Sequence, residues 1–116
     1  MKAAGLILKN FMNEEVNMAV TEEVIKKIAD DTGVSISELT TSGLIAFLRE
    51  KKRKNMVDRL EILDRYNAAS IENLEKKIKS GEVSEHPAWE DLILLENLEA
   101  AIALIDEDIK AIQEPS

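Results

Sequence analysis

The sequence has no cysteine and only one histidine, His86. The first absence excludes a disulfide framework, a thiolate zinc site and a cysteine nucleophile, and it fits a cytoplasmic protein. The second leaves no two histidines at metal-ligand spacing and little scope for a Ser/His/Asp mechanism. Glycine (4) and proline (2) are scarce, so few residues interrupt a helix. The only aromatics are one Trp, one Tyr and two Phe, so any core must be aliphatic. The longest apolar run, Ala3 to Leu8, is far short of the roughly 20 residues that a membrane span needs. It is also too short for a cleavable signal and lacks a small-residue cleavage site. No Gly-rich phosphate loop, internal repeat or low-complexity tract occurs.

What is present points to one all-α domain over residues 1–116. Apolar residues make up 45% and charged residues 33%, a balance that supports a globular core. The expected fold is an aliphatic bundle of four or five helices, ending in a long coiled-coil-like helix. At most a short N-terminal strand joins them, over Val16 to Val20, where apolar and small or polar residues alternate.

Helix boundaries are signalled along the chain. Thr21 is an N-cap followed by Glu22 and Glu23, and Gly33 is a helix stop, which predicts a helix over 21–32. Ser35 or Ser37 caps the next helix, and Ser35-x-x-Glu38 is capping-box spacing. Leu39, Gly43, Leu44, Phe47 and Leu48 then make a helical stripe, and the side-chain-free Gly43 leaves room for close approach of another helix. The pattern fades through Arg49–Lys54 and returns at Met56 or Val57, Leu60, Leu63 and Tyr66. One long helix or a break near Asn55 both fit. Ser70 caps the next helix and Gly81 follows its end. His86 precedes Pro87 and is expected to be extended, with the last helix opening at Pro87 or Ala88.

In that last helix Leu95, Leu98, Ile102, Ile105, Ile109 and Ile112 are spaced 3, 4, 3, 4, 3. This is a heptad seam that needs a partner helix, within the chain or across a dimer. Leu94, Ala101 and Leu104 broaden it. Burial of this seam implies that Ile102→Asp costs several kcal/mol.

Charge is uneven along the chain, whose net is −8. Residues 1–55 sum to +1 and residues 56–116 to −9. The first part includes the cluster Arg49-Glu50-Lys51-Lys52-Arg53-Lys54, which suits phosphate or is a fortuitous run of bases on a solvated helix face. The acidic part suits a basic protein. Carboxylates recur at i, i+3 as Glu61/Asp64, Glu72/Glu75 and Glu96/Glu99. In facing helices such pairs can hold a divalent cation, but here Glu96 and Glu99 fall beside the seam, which favours a solvated face. His86 reads as a surface loop histidine. No enzyme, cofactor or metal is expected.

Ile28-Ala29-x-x-x-Gly33-Val34-Ser35 resembles the helix–turn–helix pattern, in which Ala packs under a turn made by Gly. Gly33-Val34-Ser35-Ile36-Ser37-Glu38-Leu39, followed by Gly43, Leu44, Phe47 and Leu48, is similar to the second half of ribbon–helix–helix regulators. Many of those are antitoxins, with a DNA-binding dimer in front and a toxin-binding tail behind. The resemblance implies Val16 to Val20 as the ribbon. Its outward residues Asn17, Ala19 and Thr21 include no base, and the helix over 21–32 is about one turn shorter than that family's usual first helix. The helix–turn–helix reading implies Ser35, Ser37, Thr40 and Thr41 at the groove. Phosphate affinity would come from Lys51, Lys52, Arg53 and Lys54.

Three functional expectations follow. One is a small dimeric, antitoxin-like DNA-binding regulator, with 16–54 on DNA and 56–112 for dimerisation or a basic partner. The alternative is a helical interaction or oligomerisation module with no nucleic-acid role. The third, the least supported, is a metal-dependent helical hydrolase.

Overall fold

The computed structural model describes residues 21–114. They form four helices, α1 (Glu22–Thr32), α2 (Ile36–Arg65), α3 (Ile71–Lys79) and α4 (Glu85–Gln113), and no strand occurs among them. The all-α expectation and the long final helix are met. The strand expected over Val16 to Val20 lies outside the described residues. The chain divides into two compact units, Met1–Ser42 and Gly43–Ser116.

In the first unit the helix boundaries follow from capping chemistry. Thr21 Oγ1 accepts the Val24 N–H at 3.3 Å. Gly33, at φ 76°, takes the left-handed conformation that ends α1, and the Val34 N–H then donates to the Ala29 carbonyl at 3.0 Å. Ser35 Oγ accepts the Glu38 N–H at 2.9 Å and starts α2. Ala29 is buried, with Ile25, Val34 and Leu39 half-buried.

No break occurs near Asn55, because α2 is continuous for 30 residues. It ends at Asn67, a non-glycine residue at φ 52°. The Ala68 N–H reaches the Leu63 carbonyl at 2.9 Å, and the Asn67 N–H reaches Asp64 at 3.1 Å. Asparagine tolerates this conformation better than other side chains, so it serves here as glycine does after α1. Lys77 Nζ adds a charged donor to the same end, 3.0 Å from the Asn67 carbonyl. Ser70 Oγ then accepts the Asn73 N–H and opens α3. His86 is extended, at φ −116° and ψ 130°, and regular α4 begins after Pro87.

The second unit holds the main core. Ile62 and Leu63 from α2, Leu74 and Ile78 from α3, and Leu92 and Leu95 from α4 meet there, with Tyr66 and Trp89 packed around them. Leu74 and Leu95 are fully enclosed. Three helices surround this point, which is why burial is complete here. Leu74→Ala should therefore lower the unfolding free energy by about 2–5 kcal/mol, measured by urea melts of the helical signal. A loss below about 1 kcal/mol would mean that α3 is not the lid of this core.

Candidate interaction surface

Away from the α3 end, α2 and α4 run antiparallel as a two-helix pair. Three ion pairs between them fix the register. Arg65 meets Asp91 at 2.9 Å, Arg59 meets Glu99 at 2.8 Å and Lys52 meets Asp106 at 2.7 Å. In each case α2 supplies the cation and α4 the anion. Positions fall along α2 as they rise along α4, which defines the antiparallel direction. All three are partly solvated, so each contributes about 0–1 kcal/mol. Their value is in selecting a register, since a slip of one turn would bring unlike positions together.

Between the Lys52–Asp106 and Arg59–Glu99 pairs lies an open groove of about 390 Å³. Met56, Ile102 and Ala103 form its apolar lining. Ile102 is consequently half-buried rather than enclosed. The deepest point of the α4 seam is Leu95, and the seam extends back to Leu92 and Ala88, both buried. Toward the other end Ile105 is buried, while Leu98, Ile109 and Ile112 are half-buried. With one partner helix, a seam residue is covered from one side only.

The basic cluster is divided by its helix. Lys52 points to Asp106, and Arg53 makes two hydrogen bonds to the Glu50 carboxylate at 3.0 and 2.7 Å. The Arg53 hydrogen bond and charge hold the Glu50 carboxyl below the ordinary carboxylate range. Lys51 and Lys54 are exposed and form no ion pair among the described residues. Ser35, Ser37, Thr40 and Thr41 belong to the unit ending at Ser42, whereas the four bases belong to the other. Ser35 is occupied as a helix cap, and the Thr40 hydroxyl donates to the Ile36 carbonyl at 2.8 Å. Ser37 and Thr41 are exposed. Nothing among the described residues lies within 4 Å of where a Cβ on Gly43 would sit, so no helix makes the close approach expected there.

His86 lies in the solvated loop, with Nδ1 3.0 Å from a Glu90 oxygen. Among the described residues no three His, Asp or Glu side chains converge as a metal site. Glu75 and Glu99 are instead ion-paired with Lys79 and Arg59. No described helix is long and apolar enough to cross a membrane.

Sequence reasoning missed one feature, the number of large apolar side chains left in solvent. Leu44 and Phe47 on α2 are 50% and 64% exposed, and Ile93 and Leu104 on α4 are 56% and 61% exposed. Met56, Val57, Leu60 and Leu94 are also exposed. Leu104, expected to broaden the seam, instead falls with Ile93 on the side of α4 opposite it, because its place two residues after Ile102 and one before Ile105 turns it away around the helix.

Residues 8–114 match the model of the family described as "Uncharacterized protein MJ0235 family". The chain belongs to that family. No curated protein and no solved structure matches it. The MJ0235 family match brings no activity or partner with it, so the functional reading rests on the surface just described.

One titratable group in this MJ0235-family chain reports on the α2–α4 junction. The Tyr66 hydroxyl donates to Asp91, which also receives Arg65. Burial, and then the bond to Asp91, push the phenol above its ordinary 10.0. A raised value in the fold means that the folded chain keeps a proton the unfolded chain releases. The contribution is therefore complete below the unfolded value and is lost as pH rises through the folded one. Tyr66 is the only tyrosine, so phenolate absorbance reads it alone. Asp91→Asn should move the midpoint down. A wild-type midpoint at the ordinary value would show that the ring is not held in the junction.

Proposed function

We propose that this chain is a helical interaction module that assembles with further copies of itself. The observation that carries the reading is the exposure of Leu44 and Phe47 on α2 and of Ile93 and Leu104 on α4, the long helices of one unit. Single exposed apolar residues are ordinary, but their recurrence at helical spacing on two helices is how an interface looks from one side. The chain also carries both signs of charge with no ion pair among the described residues, Arg49, Lys51 and Lys54 on α2 and Glu107 and Asp108 on α4, so one copy can complement another. The half-buried α4 seam agrees, since part of the core of a short chain can lie between subunits. The lack of cysteine fits the reducing cytoplasm as its location.

Light scattering on the full chain from about 1 to 100 µM should give a dimer or larger species whose mass falls on dilution. Charged replacements such as Phe47→Glu and Leu104→Glu, tested separately, should identify the contact face without loss of helicity. A chain that stays monomeric throughout would end this reading.

A second reading, a DNA-binding regulator, draws support from the α1–α2 turn. Ala29 is buried there and Gly33 makes the turn, while Lys51 and Lys54 are exposed for phosphate. It requires retention on DNA that falls steeply between about 50 and 200 mM salt. Lys51→Glu together with Lys54→Glu should abolish that retention in a folded protein. Absence of any salt-dependent binding removes this reading and leaves the module.

A further inference from the structure

Helix α4 carries a second heptad stripe opposite its seam. Ile93, Asn97, Ala100, Leu104, Glu107 and Ala111 are spaced 4, 3, 4, 3, 4, and all six are exposed. At that spacing the side chains share one face of a helix. The face is free of α2, whose ion pairs reach α4 at Asp91, Glu99 and Asp106. Two of its members, Ile93 and Leu104, are among the most exposed large apolar residues of the chain.

The stripe complements itself when reversed. Place a second copy of α4 antiparallel against it, with the twofold axis level with Ile102. Each large side chain then faces a small one, Ile93 against Ala111 and Leu104 against Ala100. Such alternation lets two helices interdigitate without voids. The polar members also meet, Asn97 opposite Glu107, so that the amide can donate to the carboxylate. Asn97 has no side-chain hydrogen bond within its own chain, among the described residues. A polar pair within a seam fixes register at some cost in stability.

The flanking charges agree with this direction. Glu96 and Lys110 border the same edge of the stripe, and neither has an ion pair among the described residues. Reversal brings Glu96 of one copy to Lys110 of the other, twice over, once on each side of the axis. A parallel, in-register pairing has none of these merits. It sets Glu107 against Glu107 and leaves Ala100 opposite Ala100.

We infer that two copies of this chain associate through the outer face of α4, antiparallel, with Leu104 seated on Ala100 and Glu96 paired with Lys110. The contact is isologous and closes at two subunits. It rests on the self-assembly reading and specifies its face and direction.

Sedimentation equilibrium of the full chain tests it. Glu96→Lys and Lys110→Glu should each weaken dimerisation by about tenfold, because both symmetric pairs turn repulsive. The two changes combined should restore the wild-type Kd to within about threefold. Leu104→Glu should give a monomer with unchanged helical content. Because the chain has no cysteine of its own, direction can be read by cross-linking. Ala103→Cys, close to the axis, should be joined across the dimer by a short bis-maleimide, and Ile93→Cys should not. Efficient linkage at Ile93→Cys would overturn the antiparallel arrangement. A dimer indifferent to Leu104→Glu would overturn the face while leaving self-assembly intact. A chain that is monomeric at every concentration would overturn both.

Discussion

A pair of helices has one seam, and that geometric limit governs the larger unit of this protein. Where α3 lies across the end of the α2–α4 pair, three helices enclose Leu74 and Leu95 completely. Beyond α3 the pair continues with no third helix of the same unit on its flanks, among the described residues. Leu98, Ile102, Ile109 and Ile112 face α2, yet each stays half-open to water. Packing alone would hold that part of the pair loosely, because two-helix contacts bury too little apolar area to fix a unique register.

Charge supplies what packing lacks. The three ion pairs between α2 and α4 are too exposed to stabilise the fold greatly. They do penalise slippage, because a shift of one turn along α4 would set Arg65, Arg59 and Lys52 opposite Leu95, Ala103 and Lys110. The cost falls on function. Lys52, drawn to Asp106, is directed away from solvent phosphate, and Arg53 is held by Glu50. A run of five bases that looks like a phosphate-binding cluster in one dimension thus becomes, in three, Arg49, Lys51 and Lys54 exposed and Lys52 and Arg53 engaged.

Local chemistry was the legible part of the sequence. Thr21, Ser35 and Ser70 cap helices as their side chains dictate, and Gly33 and Gly81 adopt the positive φ that ends them. The stop at Asn67 was not legible, because asparagine occurs freely outside left-handed turns and signals one weakly. The continuity of α2 was not legible either. Its apolar residues point in several directions rather than along one stripe, so periodicity fades although the helix does not. Ala88 was absent from the seam because a small side chain gives little apolar signal, although enclosure depends on place and not on size. The ion-pair partners were hidden by separation, since Arg59 and Glu99 lie 40 residues apart. On the surface, the basic cluster was visible but its division by Asp106 and Glu50 was not.

The apolar character of α4 is broader than its contact with α2 requires. A helix packed on one partner needs one stripe, and its remaining face is normally polar. Here Leu104 and Ile93 stand on the far face, with the uncharged Asn97 and Ala100 between them where charged residues would be expected. Exposed alanine costs nothing by itself, because it favours helix formation. Exposed leucine and isoleucine at heptad spacing do forgo part of the burial that is worth about 1.5–3 kcal/mol for a fully enclosed side chain. Neither helix propensity nor the intrachain core accounts for them, since both would be served as well by Glu or Lys. A second helix on that face recovers the burial, and the alternation of large and small side chains along it means that the same sequence, reversed, provides the complementary shape.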